Sequence, residues 1–356
     1  SSGGGASSAG GGAASSGGGA SSSGGGTASS GGGASSSGGG TASSGGGAAG
    51  GGAGQTDGGV IQYVFVIAME NRSDTSIYGN DAGVYLNKTL MAQYAHATNF
   101  TDALTSVIPS EPHYVYMEAA TNTFNDYSFF LDSDPSNFNS TSSTAHVVGQ
   151  LKAMNSSKTW RSYQEGMNAT TGDCPINSDG FYAAKHDPFV FFNDVSGNPP
   201  NKNDAYCKAH HKAFTTATLQ ADLSANDVAN YTFITPDLCN DMHGAAGCSN
   251  GCTSGTAATC VGAGDQWLAT NVPPILNFLA THEGVLFIVW DEPEGSDTKQ
   301  PFVAVGPHVK PGFVSTTNYT LASLTKSLDE ILGLPVLAKA AGANDFKDLF
   351  QAGHFP

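Results

Sequence analysis

The chain has 356 residues and a formal net charge of −16, from 30 acidic and 14 basic side chains. An acidic surface of this kind repels nucleic acid and anionic bilayers, which excludes both as bulk partners; a small anionic substrate then needs a local cation or a His/Lys cluster. The first 54 residues contain only Gly, Ser, Ala and Thr, too little apolar surface to offset ordering entropy, whereas the rest has enough Phe, Tyr, Val and Leu for one large core.

We therefore expect a disordered Gly/Ser/Ala-rich tether over 1–58 and a single domain over 59–356. A Gly-rich coil of 54 residues reaches roughly 40 Å. After the tether, Val60–Met69 (VIQYVFVIAM) is nearly all apolar and rich in β-branched residues, the pattern of a strand buried on both faces. Helical spacing follows at Val84–Ala95, His113–Ala120 and Ala145–Met154, and an aromatic strand (FVFF) at Phe189–Phe192. Tyr231–Thr235 reads as a buried strand, Asp265–Ala280 as a helix, and Val285–Trp290 and Phe302–Val305 as further strands. Leu321–Leu332 closes the series as a helix, with Gly333 and Pro335 as its stop. Strands alternating with helices predict an α/β fold, a mostly parallel central sheet with helices on both faces. In such folds the site lies beyond the carboxyl ends of the strands.

Three of these strands run directly into oxygen donors: Glu70 and Asn71 after the first, Asp237 after Tyr231–Thr235, and Asp291 and Glu292 after Val285–Trp290. Oxygen donors converging from separate strands suit a hard divalent cation, and His243 adds a nitrogen; the mixture fits Ca, Mg, Mn or Zn alike. Asp241 is either a ligand or the group that orients His243. Ser110, in Pro109-Ser110-Glu111-Pro112-His113, reads both as a helix cap and as a hydroxyl placed where backbone N–H groups stabilise an anion. Lys185 and His186 offer two cationic groups ahead of the aromatic run, and His308 follows another strand as a candidate for the same pocket. His210 and His211 read as a surface pair without a role.

Six cysteines, four of them between residues 239 and 260, lack any Cys-x-x-Cys pair or following His-x-x-x-His. This favours disulfides in an oxidising compartment over a metal knot, without fixing the connectivity. No run of 18 apolar residues occurs, so no transmembrane segment is expected. A first residue that is Ser and not Met suggests a removed leader, hence a secreted or cell-surface tethered protein with possible anchoring at the N-terminus. Eight Asn-x-Ser/Thr sites, at Asn71, Asn87, Asn99, Asn139, Asn155, Asn168, Asn230 and Asn318, say little in so Asn- and Ser-rich a chain.

Several segments carry a resemblance in order along residues 60–335. They are Glu70-Asn71-Arg72-Ser73, Pro109-Ser110-Glu111-Pro112, Lys185-His186-Asp187-Pro188-Phe189, Asn240-Asp241-Met242-His243, Gly264-Asp265-Gln266-Trp267-Leu268, Trp290-Asp291-Glu292 and Gly306-Pro307-His308-Val309-Lys310-Pro311-Gly312. The set resembles the bacterial and fungal phosphoesterase family that includes acid phosphatases and non-haemolytic phospholipases C. The resemblance implies an alkaline-phosphatase-like core and an exported phosphatase for phosphate monoesters, phosphoinositides among them. It casts Ser110 as the phosphorylated hydroxyl, and Glu70, Asn71, Asp291 and Glu292 around a metal. His186 and His243 would contact the phosphoryl group or protonate the leaving oxygen. His113 stands where the family usually has Asn, a phosphoryl-oxygen donor, and the Cys-rich Gly244–Gly262 insertion lies beside the site. Two rivals remain at this stage, a phospholipase C-type phosphodiesterase and a tethered surface binding module whose site has decayed.

Overall fold

The computed structural model describes residues 61–104, 109–154, 157–168, 170–254 and 256–356. The tether expected over 1–58 lies outside them, as do Val60, Ile108 and Asn155. Eight strands form one sheet: β1 (Tyr63–Met69), β2 (Ala95–Ala97), β3 (Trp160–Glu165), β4 (His211–Phe214), β5 (Tyr231–Thr235), β6 (Gly284–Trp290), β7 (Phe302–Val305) and β8 (Val314–Ser315). Their order is β4-β3-β5-β1-β6-β7-β2-β8, and every neighbouring pair is parallel except those made by β7. The expected α/β fold with a mostly parallel sheet is therefore what the chain adopts.

The alternation of side chains along β1 divides the core in two. Val64, Val66 and Ala68 pack with Val285, Phe287 and Val289 under the Ser110–Ala119 and Leu321–Leu332 helices. Phe65, Ile67 and Met69 face the other way, with Leu286, Ile288 and Trp290, under the Ala257–Leu279 helix and its Trp267, Leu268, Val272 and Ile275. Both faces being covered is why β1 and β6 carry no polar alternation. Among the described residues no helix is long and apolar enough to cross a membrane.

The central strands set the height of the site. In β1 and β6, Met69 is registered with Trp290, so Glu70 and Asp291 leave the sheet side by side. Tyr63–Met69, Tyr231–Thr235 and Gly284–Trp290 are adjacent and parallel, so all three open at the same edge.

Several elements differ from expectation. The Val84–Ala95 stretch forms a wide helical turn at Leu86–Leu90 and a short helix at Met91–Gln93, because Ala95–Ala97 leaves to pair with β7 and β8. Phe189–Phe192 is no strand: Pro188–Phe191 is a 3₁₀ turn that starts at Pro188, where proline's fixed φ and missing N–H are tolerated. The Asp265–Ala280 helix begins earlier, at Ala257. Leu321–Leu332 has the expected bounds, stopped by Gly333 at φ 70°, a left-handed conformation that glycine adopts freely. All six cysteines pair, as Cys174–Cys207, Cys239–Cys248 and Cys252–Cys260.

Candidate active site

Ser110 is the first residue of the Ser110–Ala119 helix, and its hydroxyl does not cap that helix. Pro109 holds the cap position, which frees Oγ to donate to Glu70 Oε1 at 2.5 Å and to lie 3.0 Å from Glu292 Oε1. The hydroxyl therefore sits at once at a helix N-terminus and against two strand-end carboxylates. One favours negative charge on an incoming group, the other accepts the serine proton.

Glu70, Asp291 and Glu292 offer oxygens all within 4.8 Å of one another, and each residue is buried. Asn71, at φ 40°, turns the chain back so that its N–H donates to Asp291 Oδ1 (2.8 Å) and its amide to Glu292 Oε1 (3.0 Å). Asp241 arrives from the loop after β5: its carbonyl accepts the Glu70 N–H at 2.9 Å, and its Oδ1 accepts from the backbone of His243 and Gly244. Asp241 Oδ1 thereby orients the His243 backbone, leaving Oδ2 for a further partner.

Burial, then repulsion from Glu70, pushes the carboxyls of Asp241 and Asp291 well above the usual range, and the same two causes raise Glu292 to about 7. Burial works against the ionised form of Glu70 too, but His186, His243 and hydrogen bonds from Asp291 and Ser110 outweigh it and hold that carboxyl down. Three buried carboxylates this close, with a fourth on Asp241 repelled by Glu70, cannot all ionise without added positive charge. One oxygen on each of Glu70 (Oε2), Asp241 (Oδ2) and Asp291 (Oδ2) is buried with no hydrogen-bond partner. Buried acceptors are normally satisfied, so the unsatisfied oxygens of Glu70 and Asp291, two members of the close carboxylate group, fit a hard cation bound by oxygens.

The cationic groups surround this cluster. His186 Nε2 lies 3.6 Å from Glu70 Oε2, and burial lowers its pKa. His243 Nδ1 lies 3.7 Å from Glu70 Oε1, with its side chain 36% exposed, so it joins the cluster to solvent. His113 differs from a free donor: Nδ1 donates to Pro109 O (2.9 Å) and Nε2 contacts Asp102 (3.0 Å), with Glu292 3.8 Å away. Burial would lower its pKa, but Asp102 and Glu292 raise it instead. Lys185 pairs with Asp132 and feels Glu70 and Asp291 through space.

Other expected residues lie elsewhere. Asp237 accepts the Cys239 N–H, and Asp241, four residues on, is the residue of this loop whose carbonyl bonds to Glu70. His308 binds Glu283, just before β6 begins, and so sits at the opposite end of the sheet from Asp291. His211 is no surface group: it is buried, and its Nε2 lies 3.1 Å from Asp187, which steadies the segment that carries His186.

Three contributors carried no signal of their own in the sequence. Arg72, buried, donates from Nε to Met242 O (2.8 Å) and pairs with Glu294, lacing together the loops after β1, β5 and β6. Glu111 accepts the Ser133 N–H at 2.7 Å. Tyr114, one helical turn beyond Ser110, stacks on His186 with ring centroids 4.7 Å apart, and its buried hydroxyl faces Glu70, Asp291 and Asp241. The i, i+4 spacing from Ser110 was the one clue to Tyr114.

The Phosphoesterase family model matches residues 81–335 of the chain. Phosphatidylinositol-3-phosphatase of Mycobacterium tuberculosis is 26% identical over 297 residues, 81% of this chain and 82% of its own length. The phosphate-repressible acid phosphatase of Penicillium chrysogenum is 29% identical over 255 residues; the match takes in 67% of this chain and 53%, about half, of that protein. Among solved structures, one from Bacteroides thetaiotaomicron, described under metabolism of multiple glycosaminoglycans, overlays with a TM-score of 0.51 at 10% identity, over 82% of this chain and 81% of its own. That is a likeness of fold.

Proposed function

The chain belongs to the phosphoesterase family and is a phosphoric ester hydrolase; on that premise we propose that it is an exported, metal-dependent phosphatase that removes phosphate from monoesters through a phosphoserine on Ser110. The observation that carries this reading is the Ser110 hydroxyl, 2.5 Å from Glu70 Oε1 and 3.0 Å from Glu292 Oε1 within a buried carboxylate cluster.

A divalent cation held by Glu70, Asp291 and Glu292, with Asp241 as a further candidate ligand, would neutralise phosphoryl charge and favour the alkoxide of a nearby hydroxyl. The chain's own groups supply the rest. Ser110 Oγ attacks phosphorus, forming the Oγ–P bond as the P–O bond to the leaving group breaks. The serine proton passes to a carboxylate already in contact, Glu70 Oε1 or Glu292 Oε1. Lys185 and the helix N-terminus face the negative phosphoryl oxygens. His243, between Glu70 and solvent, gives a proton to the departing oxygen. Water then attacks phosphorus, giving a proton to His243, the Oγ–P bond breaks as Ser110 Oγ takes its proton back from the carboxylate, and inorganic phosphate leaves.

Phosphoinositides are the substrate class we favour, because the mycobacterial relative named for that activity aligns over most of both chains. Three disulfides support an oxidising, exported location. The composition of residues 1–58 supports a tether ahead of a phosphoesterase domain at 59–356. Phosphate release from an aryl phosphate, its diester and an inositol lipid, with and without chelator, tests the reading. Monoester turnover that chelation abolishes is expected. Diester turnover that exceeds it would replace the proposal with a phosphodiesterase, and turnover indifferent to chelation would remove the metal.

A further inference from the structure

Six large apolar side chains among the described residues are about half exposed or more, and three of them fall in one nine-residue stretch: Phe130 (55%), Leu131 (49%) and Phe138 (78%). Scattered apolar side chains need no explanation, but a local group does. The stretch is not loose. Phe129 beneath it is fully buried, and its N–H and carbonyl bond to Asn122 at 2.8 and 2.9 Å. Buried Asn139 donates to Ser133 O and Asp134 O, and Asp134 accepts from the backbone and hydroxyl of Ser178. A firmly tied segment thus holds three apolar tips outward.

Its position relates those tips to the site. Between them, Asp132 pairs with Lys185 and the Ser133 N–H donates to Glu111, the neighbour of Ser110. The segment that bears the tips is the same one that holds the cationic entrance to the carboxylate cluster. Residues 1–54 contain no large apolar side chain to offer as an apolar partner. The net charge of −16 argues against an anionic surface held by electrostatics. What remains is an uncharged apolar medium lying beside a phosphate ester.

We propose that Phe130, Leu131 and Phe138 insert into a lipid surface of low net charge, seating the active site over phosphate esters whose leaving group is anchored in that surface. The inference rests on the phosphatase reading for its substrate but not for its binding step. Insertion of such tips is driven by burial of apolar area.

The test compares the full, metal-loaded chain with its combined Phe130→Ser, Leu131→Ser and Phe138→Ser variant, using phosphatidylcholine vesicles with a few per cent of inositol-lipid phosphate. Vesicle co-sedimentation and phosphate release are measured on the same samples, with a soluble aryl phosphate as control. We expect the variant to turn over the aryl phosphate normally, while vesicle binding and vesicle-borne turnover fall roughly 100-fold. Should the combined variant fail to fold, Phe138→Ser alone, at the most exposed position, is expected to weaken binding about tenfold. The proposal is overturned if wild type does not sediment with vesicles, if the variants bind as well as wild type, or if their only defect is loss of self-association. Wild type that binds vesicles through these residues yet releases phosphate from no ester would uphold the surface and refute the phosphatase reading.

Discussion

Asp291→Asn separates a cation-binding cluster from an ordinary hydrogen-bonded one, because it should act in opposite directions with and without metal. The substituted amide keeps an oxygen for the Asn71 N–H, now 2.8 Å from Asp291 Oδ1, and removes one negative charge from a cluster spanning 4.8 Å. Two unit charges at that separation repel by about 3 kcal/mol at an effective dielectric constant of about 20. In chelator at pH 8 the wild type either bears that repulsion or holds a proton to avoid it, so about 3 kcal/mol is the ceiling for stabilisation by the variant. This corresponds to a rise in Tm of roughly 5–10 °C. A saturating divalent cation reverses the order: at about 100 times Kd it stabilises the wild type by about 2.7 kcal/mol, and the variant by much less. Thermal unfolding followed in chelator and in each of Ca, Mg, Mn and Zn is the assay. A variant less stable than wild type in chelator, with equal metal-induced shifts in both, would refute the reasoning and make Asp291 a structural acceptor.

Glu111→Gln addresses pH. Burial raises the Glu111 carboxyl from its usual 4.5 to about 7, so the folded state binds its proton more tightly than the unfolded one. Its ionisation then costs stability as pH rises from about 4.5 through 7, up to about 3 kcal/mol, and the Gln variant should lose that slope in denaturant titrations run at successive pH values. An unchanged slope would count against it. Gly244 has φ 92°, and a Cβ there would meet the Cys252 and Cys260 sulfurs at 2.4 and 2.7 Å. Gly244→Ala should destabilise by roughly 2 kcal/mol or more and, by shifting its neighbour His243, depress kcat; a fully active, equally stable variant would contradict the packing described. His243→Gln should cost roughly 100-fold with an alkyl phosphate and little with an aryl phosphate whose leaving group needs no proton. Equal losses on both would deny His243 the role of acid.

Much of this architecture was readable in the sequence because burial on both faces leaves an unambiguous trace. The apolar runs ending at Met69, Thr235 and Trp290 became adjacent parallel strands, and parallel register alone brings the residues after Met69 and Trp290 together. Glu70, Asn71, Asp291 and Glu292 were found in this way. Strands away from the sheet centre were not: Trp160–Glu165, between β4 and β5, alternates weakly and buries Ser162 and Gln164, and the Gln164 amide bonds to Ser162 and Thr235 in place of apolar packing. The loop after β5 was left open for a related reason. Asp237 and Asp241 were both candidates, and Met242 at φ 78° and Arg72 holding the Met242 carbonyl fold the loop so that the Asp241 carbonyl accepts the Glu70 N–H while Asp237 accepts from Cys239. Long-range contacts decide such cases, and no local pattern records them. His211 shows the same limit, since its partner Asp187 lies on another element. Ser110 reads in the sequence both as a helix cap and as a hydroxyl at a helix N-terminus; the structure gives the cap position to Pro109 and the hydroxyl to Glu70.

The central claim is that Ser110 Oγ carries the phosphoryl group between two displacements. Metal-loaded enzyme quenched in acid during steady turnover of an aryl phosphate, then digested and analysed by mass spectrometry, measures this directly. The account predicts a stoichiometric fraction of phosphate on the peptide containing Ser110, and loss of both label and turnover, roughly 10³-fold or more, in Ser110→Ala. Phosphate trapped on another side chain, or undiminished turnover in the purified Ser110→Ala protein, would contradict it.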